Sequence, residues 1–275
     1  MKFRSILILT LCTAGSALAQ FLWVASNGND TANTGKPNTC MRTTPCLTFA
    51  HAAQLEPDRV IMAVDAADYG IVNITHNTTI DGTLGGLIGA ANGTGITINN
   101  PGGEVTIRNL TIVVGSGGYG IDIIAGDVHL ENVLIAGNPF YGVYADGSFG
   151  NAVHLTTKNV TVTNATVAGI LLYGASGSIR DSVFRGDTNG IYVQGVNGHA
   201  AVALVERCEL SYNGTGLAAD NNNGSGSTAR VSDTVITGNT TGISATAGGQ
   251  ILSFRTNLLA GNITDGATAF SLSLK

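Results

Sequence analysis

The sequence predicts an all-β solenoid, with short parallel strands stacked coil upon coil. Three observations predict it. A seven-residue phrase (NLTIVVG, NVLIAGN, NVTVTNA, DSVFRGD, RCELSYN, DTVITGN, TNLLAGN) begins at Asn109, Asn132, Asn159, Asp181, Arg207, Asp233 and Thr256, so successive starts lie 23, 27, 22, 26, 26 and 23 residues apart. A second phrase, a glycine followed by a short apolar run, keeps pace at Gly120, Gly142, Gly169, Gly190, Gly216 and Gly242. Charged residues make up only 11% of the chain while Gly accounts for 38 of 275 residues, a composition of short strands and tight turns rather than helices. A repeat of this length marks a quasi-one-dimensional fold in which each unit buries its apolar face only against its neighbours.

From the N-terminus, residues 1–19 read as a signal peptide. Lys2 and Arg4 make a basic start, an apolar stretch opens at Ile6–Leu11, and Ala17-Leu18-Ala19 suits a signal peptidase. No other apolar run approaches the ~20 residues of a membrane helix, so the mature chain is expected to be secreted, extracellular or periplasmic, with no membrane span. Loss of Lys2 and Arg4 takes the 13 basic residues to 11 against 18 acids, a net charge of −7. A mildly acidic chain with no basic stripe argues against nucleic acid as a partner.

Residues 20–59 read as an N-terminal cap. In CMRTTPC, Cys40 and Cys46 are close neighbours in an exported chain, and a disulfide between them is the leading reading; a zinc site would want more ligands than His51 supplies. Within TPCLTFAHAAQLEP, Thr44 suits a helix N-cap, Pro45 the first turn and Pro57 the stop. A short helix over 44–55, with Leu47, Phe49 and Ala50 facing inward, would cover the open end of the solenoid.

Residues 60–275 form the coils, eight or nine of them. Aligning the phrases gives one apolar column at Ile107, Leu130, Thr157, Ile179, Val205, Val231 and Phe254, and another at Ile112, Ile135, Val162, Phe184, Leu210, Ile236 and Leu259. Alternate positions are polar or small, the period-two signature of strands with one buried face. The column Arg108, Glu131, Lys158, Arg180, Glu206, Ser232, Arg255 mostly alternates in sign, which allows pairing between coils worth ~0–1 kcal/mol each. The openers Asn109, Asn132, Asn159, Asp181 and Asp233 read as turn residues. Cys208, in the column of Leu110, Val133 and Val160, is expected to be a reduced, inert small hydrophobe. The sequons at Asn73, Asn92, Asn164, Asn213 and Asn239 follow from composition.

Together these residues resemble the right-handed parallel β-helix proteins of the pectate-lyase-like superfamily. More narrowly, WVASNGND (Trp23 to Asp30), CMRTTPCLTFAHA and VDAADYGIVNITHNTTIDG (Val64 to Gly82) resemble the opening of a group of exported bacterial β-helix proteins without an assigned activity. The superfamily spans lyases, hydrolases, esterases, tailspikes and adhesins, so the resemblance implies a fold and leaves function to the site.

The enzymatic traces of that superfamily are thin. Polygalacturonase-like enzymes resemble one another in an Asn-x-Asp, a double Asp, a Gly-His-Gly and an Arg-x-Lys; here Gly198-His199 is followed by Ala200, with no Asp-Asp pair and no Arg-x-Lys. Lyases of the group hold Ca²⁺ with clustered acids and take a proton with a base, and calcium wants six to eight oxygens. The coil acids occur mostly singly; Asp122 and Asp146 come nearest to one face. Neither a catalytic residue, a metal site nor a cofactor is assigned.

The strand after each repeated glycine carries the binding candidate. Two residues past the Gly lie Asp122, Tyr144, Leu171, Tyr192, Ala218 and Ser244; four past it lie Ile124, Asp146, Tyr173, Gln194, Asp220 and Thr246. Tyr144, Tyr173 and Tyr192, with Asp146 and Gln194, would line one outward face on successive coils. Aromatic rings beside carboxylate and amide groups suit sugars. The expected role is a non-catalytic scaffold binding an extracellular polysaccharide. The alternatives are a polysaccharide lyase or glycoside hydrolase, and a structural envelope protein.

Overall fold

The computed structural model describes residues 21–31, 40–55, 57–254, 256–266 and 270–272. The signal-peptide reading of residues 1–19 and the place of Arg255 in the charged column lie outside them. The chain winds through three parallel sheets, here A, B and C, and forms seven complete turns with a strand in every sheet, from Thr78–Asp81 to Thr241–Thr246. Partial turns at both ends extend it: Phe21–Val24 pairs with Arg59–Ala63 at one, and Phe270–Leu272 with Gln250–Phe254 at the other. The complete turns are therefore seven, against the eight or nine expected, because the end turns lack a strand in one of the sheets.

Register confirms the columns. In sheet A, Ile107, Leu130, Thr157, Ile179, Val205 and Val231 stand in one line, and in sheet B so do Ile112, Ile135, Val162, Phe184, Leu210, Ile236 and Leu259. The last sheet A position is corrected by one residue: Ser253, not Phe254, pairs with Val231. These columns fill a single continuous core, each buried aliphatic side chain contributing on the order of 1.5–3 kcal/mol.

Two sequence signals acquire a mechanical reason. Asn109, Asn132, Asn159, Asp181, Arg207 and Asp233 make the corner between sheets A and B in one residue, with φ from 50° to 55°, a left-handed conformation that Asn and Asp adopt more readily than other side chains. Arg207, the exception, lays its guanidinium on both oxygens of Asp181 one coil before (2.7 and 3.1 Å). The repeated glycine is required by close approach. A Cβ on Gly120 would lie 2.4 Å from the carbonyl oxygen of Gly142, and on Gly190 2.7 Å from that of Gly216. Each coil rests directly on the backbone of the next there.

The cap is shorter than the sequence predicts. Helix α1 spans Phe49–Ala53 and is capped by Thr48, whose hydroxyl accepts from His51 N at 3.1 Å. Thr44 and Pro45 lie outside it, because Cys46 bridges Val24 as an added strand position and Thr44 closes a turn on Met41. Leu47 is exposed, while Phe49, Ala52 and Ala53 are buried, Phe49 against Tyr69 with ring centroids 4.9 Å apart. Cys40 and Cys46 form a disulfide, and Cys208 is free and buried, its thiol pushed up to about 11 by burial.

Candidate functional site

The outward side of sheet C is where the sequence placed the site. Asp122, Tyr144, Leu171, Tyr192, Ala218 and Ser244 form one column in unbroken register, and Asp146, Tyr173, Gln194, Asp220 and Thr246 form the next. Side chains alternate along each strand, so both columns face out while Ala145, Leu172, Val193 and Ala219 between them face the core.

The structure brings Tyr144 and Tyr173 together, with ring centroids 6.0 Å apart. It also adds two tyrosines that the sequence reading had passed over. Tyr141 stacks on Tyr144 at 5.0 Å with 17° between planes, and Tyr119 meets Tyr141 and Tyr144 edge-on at 5.3 and 5.5 Å. A signal for them existed: Tyr119 and Tyr141 each stand immediately before the repeated Gly, in paired register. Tyr192 joins the face lower down, where its hydroxyl donates to Asp220 Oδ2 at 3.1 Å and Gln194 Nε2 reaches the same oxygen at 3.5 Å.

The acids are tied to the tyrosines. Tyr144 Oη donates to Asp146 Oδ2 at 3.1 Å, and Ser148 N donates to its Oδ1 at 2.9 Å. Asp146 is buried at 8% exposure, and Asp122 is half-buried. Burial, and secondly the negative charge of Asp146, push the Asp122 carboxyl up to about 6. Burial likewise holds Tyr144 well above the usual phenol range and takes Tyr192 up to about 12, so the hydroxyls remain neutral donors at neutral pH. The strand segments carrying these columns (119–123, Tyr141–Asp146, Ala168–Tyr173, Asn189–Gly195, Thr215–Asn221) contain no Lys, Arg or His.

A groove of about 380 Å³ opens at the corner where sheet C gives way to sheet A, lined among others by Asn151, His154, Ser176 and His199. It begins directly after the strands that end at Tyr173 and Gly195. His154 Nδ1 and Ser176 Oγ are hydrogen-bonded there. Among the described residues, Asp30, Cys46 and His51 bring potential metal-ligand atoms within 4.8 Å of one another. Cys46 is spent in the disulfide and Asp30 receives Leu47 N and Thr48 Oγ1 at 2.7 and 2.8 Å, so this group is a structural staple.

The family described as "Right handed beta helix region" matches residues 94–259, more than half of the chain. The protein belongs to that family, and its coil is a right-handed β-helix. Among solved structures, that of the pectate lyase Pel9A aligns with a TM-score of 0.64 at 13% identity, over 87% of this chain and 70% of that one; the likeness is one of fold. A GH136 lacto-N-biosidase from Eubacterium ramulus aligns at a TM-score of only 0.38 and 11% identity, over 93% and 67%. No curated protein matches the sequence. No helix among the described residues is long and apolar enough to cross a membrane.

Proposed function

We propose that this β-helix is an exported, non-catalytic scaffold that binds extracellular carbohydrate on the tyrosine face of sheet C. One observation carries the reading: Tyr119, Tyr141, Tyr144 and Tyr173 form a contiguous aromatic patch rimmed by Asp122, Asp146 and Gln194 on a flat, regular surface. Sugar rings have an apolar face for such rings and a hydroxyl rim for such acceptors. Asp146 and Asp220 already orient tyrosine hydroxyls, which favours holding a ligand over reacting with it. The Cys40–Cys46 disulfide supports an oxidising compartment and hence export.

The test is retention on a panel of immobilised polysaccharides. Replacing Tyr144 and Tyr192 together by Ala is expected to abolish retention while the far-ultraviolet spectrum and melting temperature stay within a few degrees of wild type. Unchanged retention removes the reading. A specific observation also supports an enzyme: burial, with Asp146 on the same face, pushes the Asp122 carboxyl up to about 6, in the range of a general acid. Reducing-end and unsaturated-product assays on the same panel, with and without Ca²⁺, separate the two. Turnover would make the protein a polysaccharide lyase or glycoside hydrolase, and silence in both assays would leave a structural envelope role.

A further inference from the structure

The outward chemistry of sheet C differs from that of sheets A and B. Sheet A faces solvent with Arg108, Glu131, Lys158, Arg180, Glu206 and Arg230, in which acids and bases meet: Arg108 with Asp81 at 2.8 Å, Lys158 with Glu131 at 3.3 Å, Arg180 with Glu206 at 3.2 Å. The sheet B edge carries Arg185, laid over the Tyr212 ring at 4.7 Å. Sheet C has carboxylates at Asp122, Asp146 and Asp220, tyrosine faces beside them, and no cation on its strands to meet either.

Both halves of that arrangement attract positive charge. An ammonium over a tyrosine ring is stabilised by the ring quadrupole, by ~0.5–2 kcal/mol depending on burial. Partly desolvated carboxylates favour a counter-charge more than solvated ones. Asp122 pairs in register with Tyr144, two residues before Asp146 on the next coil, so the two carboxylates share one face; an arriving cation relieves both their mutual repulsion and the half-burial of Asp122. A uronate polymer would add to it instead.

We propose that the tyrosine face selects sugars bearing a free amino group, namely de-N-acetylated hexosamine units, over their N-acetylated counterparts and over uronates. The sugar ring lies on the Tyr141–Tyr144–Tyr173 patch, and its ammonium sits against the half-buried Asp122, with the buried Asp146 carboxylate adding to the negative field behind it. The inference rests on the carbohydrate reading above and narrows it to one ligand class.

Titration calorimetry on the full chain, at about pH 6.5 where glucosamine carries substantial charge, decides it with three oligomers. These are a β-1,4-linked glucosamine oligomer, the same oligomer fully N-acetylated, and an oligogalacturonate of equal length. The expected result is about ten-fold tighter binding of the amino oligomer than of the acetylated one, shrinking at high salt as a charge interaction must, and no binding of the uronate. Asp122→Asn is expected to bring the ratio close to one. Gln194→Lys, which sets a cation beside Asp220 on the same face, moves it the same way and guards against a folding defect in the first variant. Equal or tighter binding of the acetylated oligomer or of the uronate overturns the amino selectivity and leaves the carbohydrate reading standing. Binding of none of the three overturns the amino selectivity, and retention on the polysaccharide panel then decides the carbohydrate reading.

Discussion

Two ladders of polar side chains run along this coil, one outside and one inside, and burial makes them different objects. The outer ladder on sheet A pairs Lys158 with Glu131 and Arg180 with Glu206 across neighbouring coils, with most of these side chains at least a quarter exposed. The inner ladder lies at the turn from sheet B to sheet C. There Asn213 Oδ1 accepts from Asp187 N (2.9 Å), Asn239 Oδ1 from Asn213 N (2.8 Å) and Asn262 Oδ1 from Asn239 N (3.0 Å). The amides reach back to the carbonyls of Phe184, Leu210 and Ile236 at 3.1, 2.9 and 3.0 Å. Asn213 and Asn239 are buried, so these two sequons are structural rungs. Outside, water offers every group an alternative partner and the contact mainly sets register. Inside, nothing replaces a lost bond.

The inner ladder has one irregular rung. Asp187 stands where the next three coils carry Asn. Its Oδ1 accepts from Ala165 N at 2.7 Å, while Oδ2 is buried with no partner among the described residues. By the pattern of the other rungs, an amide there would face the carbonyl of Val162. Burial pushes the carboxyl up to about 8, partly opposed by the Ala165 hydrogen bond; at neutral pH the folded chain therefore holds a neutral acid.

The largest effect should come from breaking the inner ladder. Asn239→Ala leaves Asn213 N and Leu210 O without buried partners and is expected to cost about 2–5 kcal/mol in urea denaturation. Next comes its irregular rung. A folded pKa raised above the unfolded value means stability that is fully present at low pH and lost as pH rises from about 4 to about 8. The contribution falls by at most about 1.4 kcal/mol per pH unit. Asp187→Asn should remove that slope and raise the melting temperature at pH 7 to 8, read from melting curves between pH 4 and 8; an unchanged pH profile would place the ionisation elsewhere. The outer corner ladder should matter less. Asn132 donates to Asn109 Oδ1 at 3.0 Å with φ at 53°, so Asn132→Ala should cost about 1–2 kcal/mol through left-handed strain and Asn132→Gly clearly less. Smallest is Lys158→Ala, with less than about 1 kcal/mol by the same urea measurement. A loss as large as that of Asn239→Ala would erase the contrast between inside and outside.

Much of this was legible beforehand, and the reason is translation symmetry. When each coil sits on the last, a column in an alignment is a column in space, so the register of Tyr144, Leu171 and Tyr192, or of Leu110, Val133 and Val160, could be written down from spacing alone. The symmetry weakens at its ends. There the 44–55 helix shrank to Phe49–Ala53 because Cys46 was drawn into a strand bridge, and Ser253 displaced Phe254. Position in a column also says nothing of reach. Tyr119 and Tyr141 belong to the aromatic patch through ring contacts with Tyr144 at 5.5 and 5.0 Å, and such contacts are set by how side chains pack rather than by repeat spacing.

By itself, then, the sequence determined the fold, the direction in which each strand residue faces, the disulfide and the corner residues, since all of these follow from a period and from local backbone chemistry. Only the tertiary structure decided which polar groups lost their water: the burial of Asn213 and Asn239, the unpartnered oxygen of Asp187 and the half-burial of Asp122. Desolvation depends on everything packed around a group, and no repeat in one dimension encodes it.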